Sequence, residues 1–218
     1  MFNFIDFIKG NFLHAGPIVL AGAIAVAIIT ERMRALLWRY PVRNMSKFFE
    51  KMSDLIMADR IPEAVSYCEK FRDKPVARVA KEALLRAHQP ENLIKDGLEL
   101  AVTEATQQIQ RRTGYLATIA NVSTLLGLFG TIVGLVHSFE AVGNASAQQR
   151  SALLAAGIST AMNATMMGLA VAIPCMIAFS YLATQGNNLS KDVEKAAVRM
   201  LDLFNQRYFE SGKKGEKR

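Results

Sequence analysis

Charged residues leave three long stretches of this chain untouched. Lys9 and Glu31 bracket the first, Arg112 and Glu140 the second, Arg150 and Lys191 the third. A helix needs about 20 residues to cross a hydrocarbon core about 30 Å thick, and each stretch is long enough. Between the first and second the pattern changes. In "IPEAVSYCEKF" and "PVARVAKEALLRA" apolar residues recur at steps of three and four, the mark of amphipathic packing helices. Pro41, Pro62, Pro75 and Pro90 each stand where a helix can open. Glu99, Glu104, Arg111 and Arg112 are expected on a solvated helix that runs straight into the second stretch. At the start, Met1, Phe4, Ile5, Ile8 and Phe12 share one helical face, which suits a helix lying in the membrane interface.

The predicted order is therefore an interfacial helix over 1–14, transmembrane helices over 15–37, 113–141 and 152–183, and a helical cytoplasmic domain over 38–112. A short outer loop fills 142–151, and a C-terminal helix with a basic tail fills 184–218. The fold class is all-α and integral to the membrane. Composition agrees: 51% of residues are hydrophobic and the mean hydropathy is +0.16, high for a soluble protein. Buried helices of a soluble core are the alternative, but those are shorter and keep a polar face. A cleaved signal peptide is a second alternative, with Ala23, Ala25 and Ala27 as small-residue spacing. Against it, Asp6 accompanies Lys9 before the apolar run, and the arginines follow that run.

Charge sets the orientation. Arg32, Arg34, Arg39, Arg43, Lys47 and Lys51 open a long basic segment after the first span, and the tail "GKKGEKR" is basic too, whereas the loop before the third span holds only Arg150. The N-terminus is expected outside and the C-terminus inside, with Trp38 and Tyr40 at the cytoplasmic headgroup level. The net charge of +7 then reflects topology and attraction to anionic inner-leaflet lipids, not nucleic acid. Cys68 and Cys175 are not placed for a disulfide, and His14, His88 and His137 are isolated, so no metal spacing exists.

The candidate chemistry lies in polar atoms inside the spans. The second carries Thr118, Asn121, Thr124, Thr131 and Ser138; Thr124, Thr131 and Ser138 are seven apart, almost the same face of a helix. Gly127, Gly130 and Gly134 leave room for a close neighbour. In the third span Gly157, Ala161, Thr165, Gly168, Ala172 and Cys175 form a narrow ridge, with Thr160 and Asn163 beside it and Pro174 expected to bend the helix. Each hydroxyl alone is compatible with bonding a carbonyl of its own helix. As a set, with amides that are costly in hydrocarbon, they indicate a protein-facing or partly wet surface. Neither span has Asp, Glu, Lys, Arg or His in its interior, where a proton path needs a titratable group. Either the chain conducts nothing, or another polypeptide supplies the carboxylate. No phosphate loop, nucleophile elbow or carboxylate pair supports an enzyme.

The pair "LGLFGTIVGLVHSF" and "GISTAMNATMMGLAVAIP", with the helical insertion before it, resembles the ExbB/TolQ/MotA proton-channel family, closest to its three-span ExbB/TolQ branch. The resemblance covers essentially the whole chain. It implies a homopentamer in the bacterial inner membrane whose second and third helices line a pore. Two copies of a single-span ExbD/TolR/MotB-like partner would insert helices with an essential aspartate. The transported ion is then H⁺, no cofactor is expected, and the family's motif threonines fall on Thr131 and Thr165. The sequence departs at Thr160, where many members have glutamate; a hydroxyl can position water but cannot hold charge. This departure is compatible with another subtype such as a gliding-motor stator. Proton-driven work in nutrient uptake, envelope maintenance, motility or secretion all fit. A non-conducting oligomeric scaffold is the rival from another class, and a sodium-coupled motor would need more acceptor oxygens at a defined site than the spans offer.

Overall fold

The structure, a computed structural model, describes residues 12–42, 44–143 and 145–215. The regular elements among them are α1 (Phe12–Arg34), a π-helical turn (Ala35–Arg39), α2 (Met45–Met57), α3 (Ile61–Glu69), α4 (Pro75–Leu85), α5 (Glu91–Gln110), α6 (Thr113–Gly143) and α7 (Ala147–Gly215). Three helical stretches, the first at Gly16–Arg39 and the others within Glu91–Gly143 and Ala147–Phe209, are long and apolar enough to cross a membrane. The protein is thus all-α, with a helical region between its first and second spans. The interfacial helix expected over 1–14 lies, up to residue 11, outside the described residues; residues 12–14 belong to α1.

Two compact units divide the chain. The first comprises Met1–Arg32 and Arg112–Tyr181 and so holds α1, α6 and the first part of α7. Its outer surface is apolar: Leu20, Val26, Leu125, Phe129, Phe139, Met162 and Ile177 are each more than half exposed. Helices that leave such side chains uncovered have hydrocarbon, not water, as their solvent. Inside the unit, Ile18 of α1 packs with Met167 of α7, and Leu126 and Val171 close around them.

The second unit comprises Met33–Arg111 and Leu182–Arg218. Here the amphipathic pattern is realised: Phe48, Met52 and Ile56 of α2, Ala64 and Cys68 of α3, Val76, Ala80 and Leu84 of α4, Ile94 and Leu98 of α5, and Val193, Met200 and Phe204 of α7 are buried. Phe48 stacks on Tyr67 with centroids 5.6 Å apart and meets Phe71 edge-on. Pro62 and Pro75 sit in the first turns of α3 and α4, and Pro90 caps α5; Pro41 lies in the non-helical segment before α2. Trp38 stays exposed while Tyr40 is buried. Burial pushes the Cys68 thiol up to about 12, so it remains protonated in this core.

The α2 terminus carries a left-handed residue that is not glycine. Asp59 has φ 59°, with its N–H donating to the Ile56 carbonyl and the next N–H, of Arg60, to the Leu55 carbonyl at 2.9 Å. This is a Schellman cap, a position that favours glycine. The Asp59 carboxylate also pairs with Arg207. Asp59→Ala and Asp59→Gly both delete that pair, so their difference isolates the backbone. Thermal unfolding is expected to rank Asp59→Gly above Asp59→Ala by about 1 kcal/mol.

Two features differ from the sequence expectation. The helix carrying Glu99 and Glu104 does not run into the second span. It ends at Gln110; Arg111 turns to ψ 134°, Arg112 adopts φ 64°, and α6 starts afresh at Thr113. Arg112 in this conformation reaches Glu31 Oε2 at 2.8 Å, and the other oxygen of Glu31 accepts from Arg32 at 3.2 Å. An ion pair thus accompanies the strained backbone. The second difference is α7, one helix where a span and a separate C-terminal helix were expected. It continues through Pro174, whose ring removes one N–H from the hydrogen-bond ladder and crowds the carbonyl one turn before without ending the helix.

Candidate functional site

The first unit's centre is the antiparallel contact of α6 with α7, and the absence of side chains shapes it. A Cβ built on Gly168 would lie 2.5 Å from the Ser123 carbonyl oxygen and 2.9 Å from the Gly127 Cα. One on Gly127 would meet Gly168 Cα and Thr165 Cα at 3.2 Å, and one on Gly130 would meet Ala164 Cβ at 2.7 Å. Gly134 faces Ala161 at 3.1 Å, and Gly157 leaves the space that the Ser138 side chain occupies. Helices in lipid associate through such close approach, because no hydrophobic force drives them together. On the other flank, α1 brings Gly22 against Val171, where a Cβ would lie 3.2 Å from Val171 Cγ2.

The polar residues distribute around this contact in a graded way. Thr124 is exposed and donates to the Ala120 carbonyl at 3.0 Å; Thr131 is half-buried and donates to the Leu128 carbonyl at 2.6 Å. Ser138 is buried and donates to the Gly134 carbonyl at 2.5 Å. A straight helix drifts about 20° per seven residues. Three positions that look superimposed in sequence therefore rotate from the open shoulder of the helix pair into its packed face. On α7, Thr165 is half-buried and donates across to the Gly127 carbonyl of α6 at 3.4 Å, a long bond. Thr131 is four residues after Gly127, so Thr165 and Thr131 border the same groove.

Thr160 and Asn163 go elsewhere. They precede Met167 by seven and four residues and share its face, and Met167 packs on Ile18 of α1. Thr160 donates to its own Ala156 carbonyl at 3.0 Å, and Asn163 is half-buried. The structure therefore brings Thr124, Thr131 and Thr165 to one shoulder, puts Ser138 in the packing seam and leaves Thr160 and Asn163 on the face of α7 that carries Met167. Pro174 is exposed, and Thr118 and Asn121 also face outward.

Charge stands only at the ends of the contact. His137 Nδ1 lies 3.4 Å from Glu140 Oε2 near the loop that joins α6 to α7, and the Arg32–Glu31–Arg112 group stands at the opposite end. Sequence reasoning did not find this group, whose one signal is an acidic residue at the edge of an apolar run followed by arginines. Among the described residues no cluster of His, Cys, Asp and Glu could hold a metal.

A multi-pass membrane protein whose central helix pair carries hydroxyls but no charge between its ends is the class these features define. The family model described as the MotA/TolQ/ExbB proton channel family matches residues 71–195, and the chain belongs to that family. It is 29% identical to the Tol-Pal system protein TolQ of Haemophilus influenzae, over 87% of this chain and 88% of the relative. It is 32% identical to the biopolymer transport protein ExbB of Neisseria gonorrhoeae, over 62% of this chain and 70% of the relative. The family is one of proton channels and not a known enzyme class.

Proposed function

We propose that the chain is the pore-forming subunit of a proton-driven motor of the inner membrane. Several copies, five by family resemblance, surround two single-span helices of an ExbD/TolR-like partner, each carrying an aspartate. Proton flow through the assembly moves the partner, and the partner does work in the envelope. The N-terminus lies outside and the C-terminus inside, as the basic residues after the first span require.

One observation carries this reading: Thr131 and Thr165 border one groove of the α6–α7 pair, in a stretch with no Asp, Glu, Lys, Arg or His of its own. A hydroxylated groove without charge can solvate a proton carrier but cannot be one. The carrier must come from outside the chain, and a membrane-embedded carboxylate is its simplest form. Protonated, that carboxyl is neutral and tolerates the apolar surface; ionised, it needs hydroxyl donors or water. Alternation between the two states gives the partner successive seats around a ring. Thr160, Asn163 and Ser138 act outside that seat.

The energy scale favours stepping. One elementary charge crossing 100 mV yields about 2.3 kcal/mol, whereas displacing or unfolding a folded domain takes about 5–15 kcal/mol. Several protons per working stroke are needed, which a ring of equivalent subunits delivers. Native mass spectrometry of the complex, extracted gently from its own membranes, tests the assembly. Five copies with two of a small single-span, aspartate-bearing protein are expected, and the partner's identity would name the output. A lone oligomer of another count, without such a protein after mild extraction, would replace the motor with a membrane scaffold.

A further inference from the structure

Within the second unit, α5 and the later part of α7 run antiparallel in step. Asn205 Nδ2 donates to Glu91 Oε1 at 3.2 Å, a Cβ built on Gly186 would lie 3.6 Å from Ile109 Cγ2, and Gln110 Nε2 approaches Asn187 Oδ1 at 3.5 Å. In this register Thr106, one turn before Gln110, comes opposite Ser190, one turn after Asn187. Both hydroxyl oxygens are fully buried, and neither has a hydrogen-bond partner among the described residues.

Thr113 and Ser123 also have buried hydroxyls without a partner, but the register of α5 and α7 brings Thr106 and Ser190 opposite each other. Helical hydroxyls here ordinarily donate to the carbonyl of the preceding turn: Ser66 to Pro62, Thr103 to Glu99, Thr124 to Ala120 and Thr160 to Ala156, all at 2.9–3.0 Å. Thr106 and Ser190 have the same option through a simple χ1 rotation and do not take it. Leaving a buried hydroxyl unmade is destabilising, and unpaired buried groups in native proteins point to bound water. The layer is otherwise sealed by Ala105, Ile109, Leu189 and Val193, all buried. Gly186, one turn from Ser190, adds no side chain to this layer. Two hydroxyls and the helix carbonyls behind them supply the two to four polar partners that an internal water requires.

We propose that Thr106 and Ser190 hold a water molecule between α5 and α7, and that this water, with Gln110 and Asn187 above it, forms a hydrated seam by which protons leave toward the cytoplasm. The seam's role rests on the proton-channel reading above; the water site does not. Arg111 and Lys191 border the seam in sequence, which puts it at the cytoplasmic edge of the spans in the proposed orientation.

The test is a double-mutant cycle in the intact complex, read by thermal unfolding and by proton flux in proteoliposomes. Thr106→Val and Ser190→Ala are each expected to lower the midpoint by about 3 °C. The double variant should fall no further than the worse single, because one shared water is lost in every case. Thr106→Ser keeps the hydroxyl and should keep both midpoint and flux, and the two apolar variants should lose flux. Singles that raise the midpoint, or effects that add, would overturn the shared water. A coupled cycle with unchanged flux would overturn the seam and leave the water as structural. A parent complex that conducts nothing would remove the proton-channel reading and the seam's role with it, while the thermal cycle still decides the water.

Discussion

Replacing Gly168 by alanine is expected to lower the thermal midpoint of the purified protein by about 2–12 °C, and Gly168→Leu to leave no folded protein in the membrane. The single methyl of alanine would have to occupy a point 2.5 Å from the Ser123 carbonyl oxygen and 2.9 Å from the Gly127 Cα. Both obstacles are backbone, so no rotamer change gives way and the helices must part. Parting forfeits the dispersion contacts along the Gly127, Gly130 and Gly134 face, which in lipid are the main attraction between α6 and α7. Overpacking of this kind costs about 1–3 kcal/mol, and each kcal/mol moves the midpoint by about 2–4 °C in a chain of this size. Gly114→Ala is the control, since a Cβ there meets nothing within 4 Å. That variant should be neutral or slightly stabilising, because alanine favours the helix. A Gly168→Ala midpoint equal to that of Gly114→Ala would remove the glycine contact as the organiser of the unit.

The glycine ridge was readable in the sequence because its spacing is a property of one helix, and so were the three spans, because length without charge determines them. What could not be read depends on a partner element or on small angles. The end of α5 at Arg111 and Arg112 carries neither glycine nor proline, and it makes sense only beside Glu31, a residue far away in sequence. The unity of α7 was obscured because the charged residues after Lys191 look like a new segment, whereas helix formation is indifferent to the change from lipid to water. The stripe Thr124, Thr131 and Ser138 shows the limit of counting in sevens: the drift of a straight helix carries Ser138 onto Gly157 while Thr124 remains exposed. Thr160 and Asn163 are close to Thr165 in sequence but share the helical face of Met167, which packs on Ile18 of α1.

That separation of faces yields the second large effect. In the complex with its partner, Thr165→Val should reduce proton flux by about 10- to 150-fold, Thr131→Val somewhat less, and Thr160→Val hardly at all. Valine matches threonine in shape and removes only the hydroxyl, so helix packing is retained. A hydrogen bond to a charged group is worth about 1.5–3 kcal/mol, and each 1.4 kcal/mol is a factor of about ten in rate. The order follows from the bonds each hydroxyl must surrender to an ionised carboxylate. Thr165 gives up a 3.4 Å contact with the Gly127 carbonyl, which holds it weakly, whereas Thr131 gives up a 2.6 Å bond to the Leu128 carbonyl. Thr165 is therefore the readier donor and the greater loss. Thr165→Ser and Thr131→Ser retain a donor and should keep most of the flux. If Thr160→Val were as damaging as Thr165→Val, the proton path would have to run on the α1 side of α7, and the groove bordered by Thr131 and Thr165 would be only a packing feature.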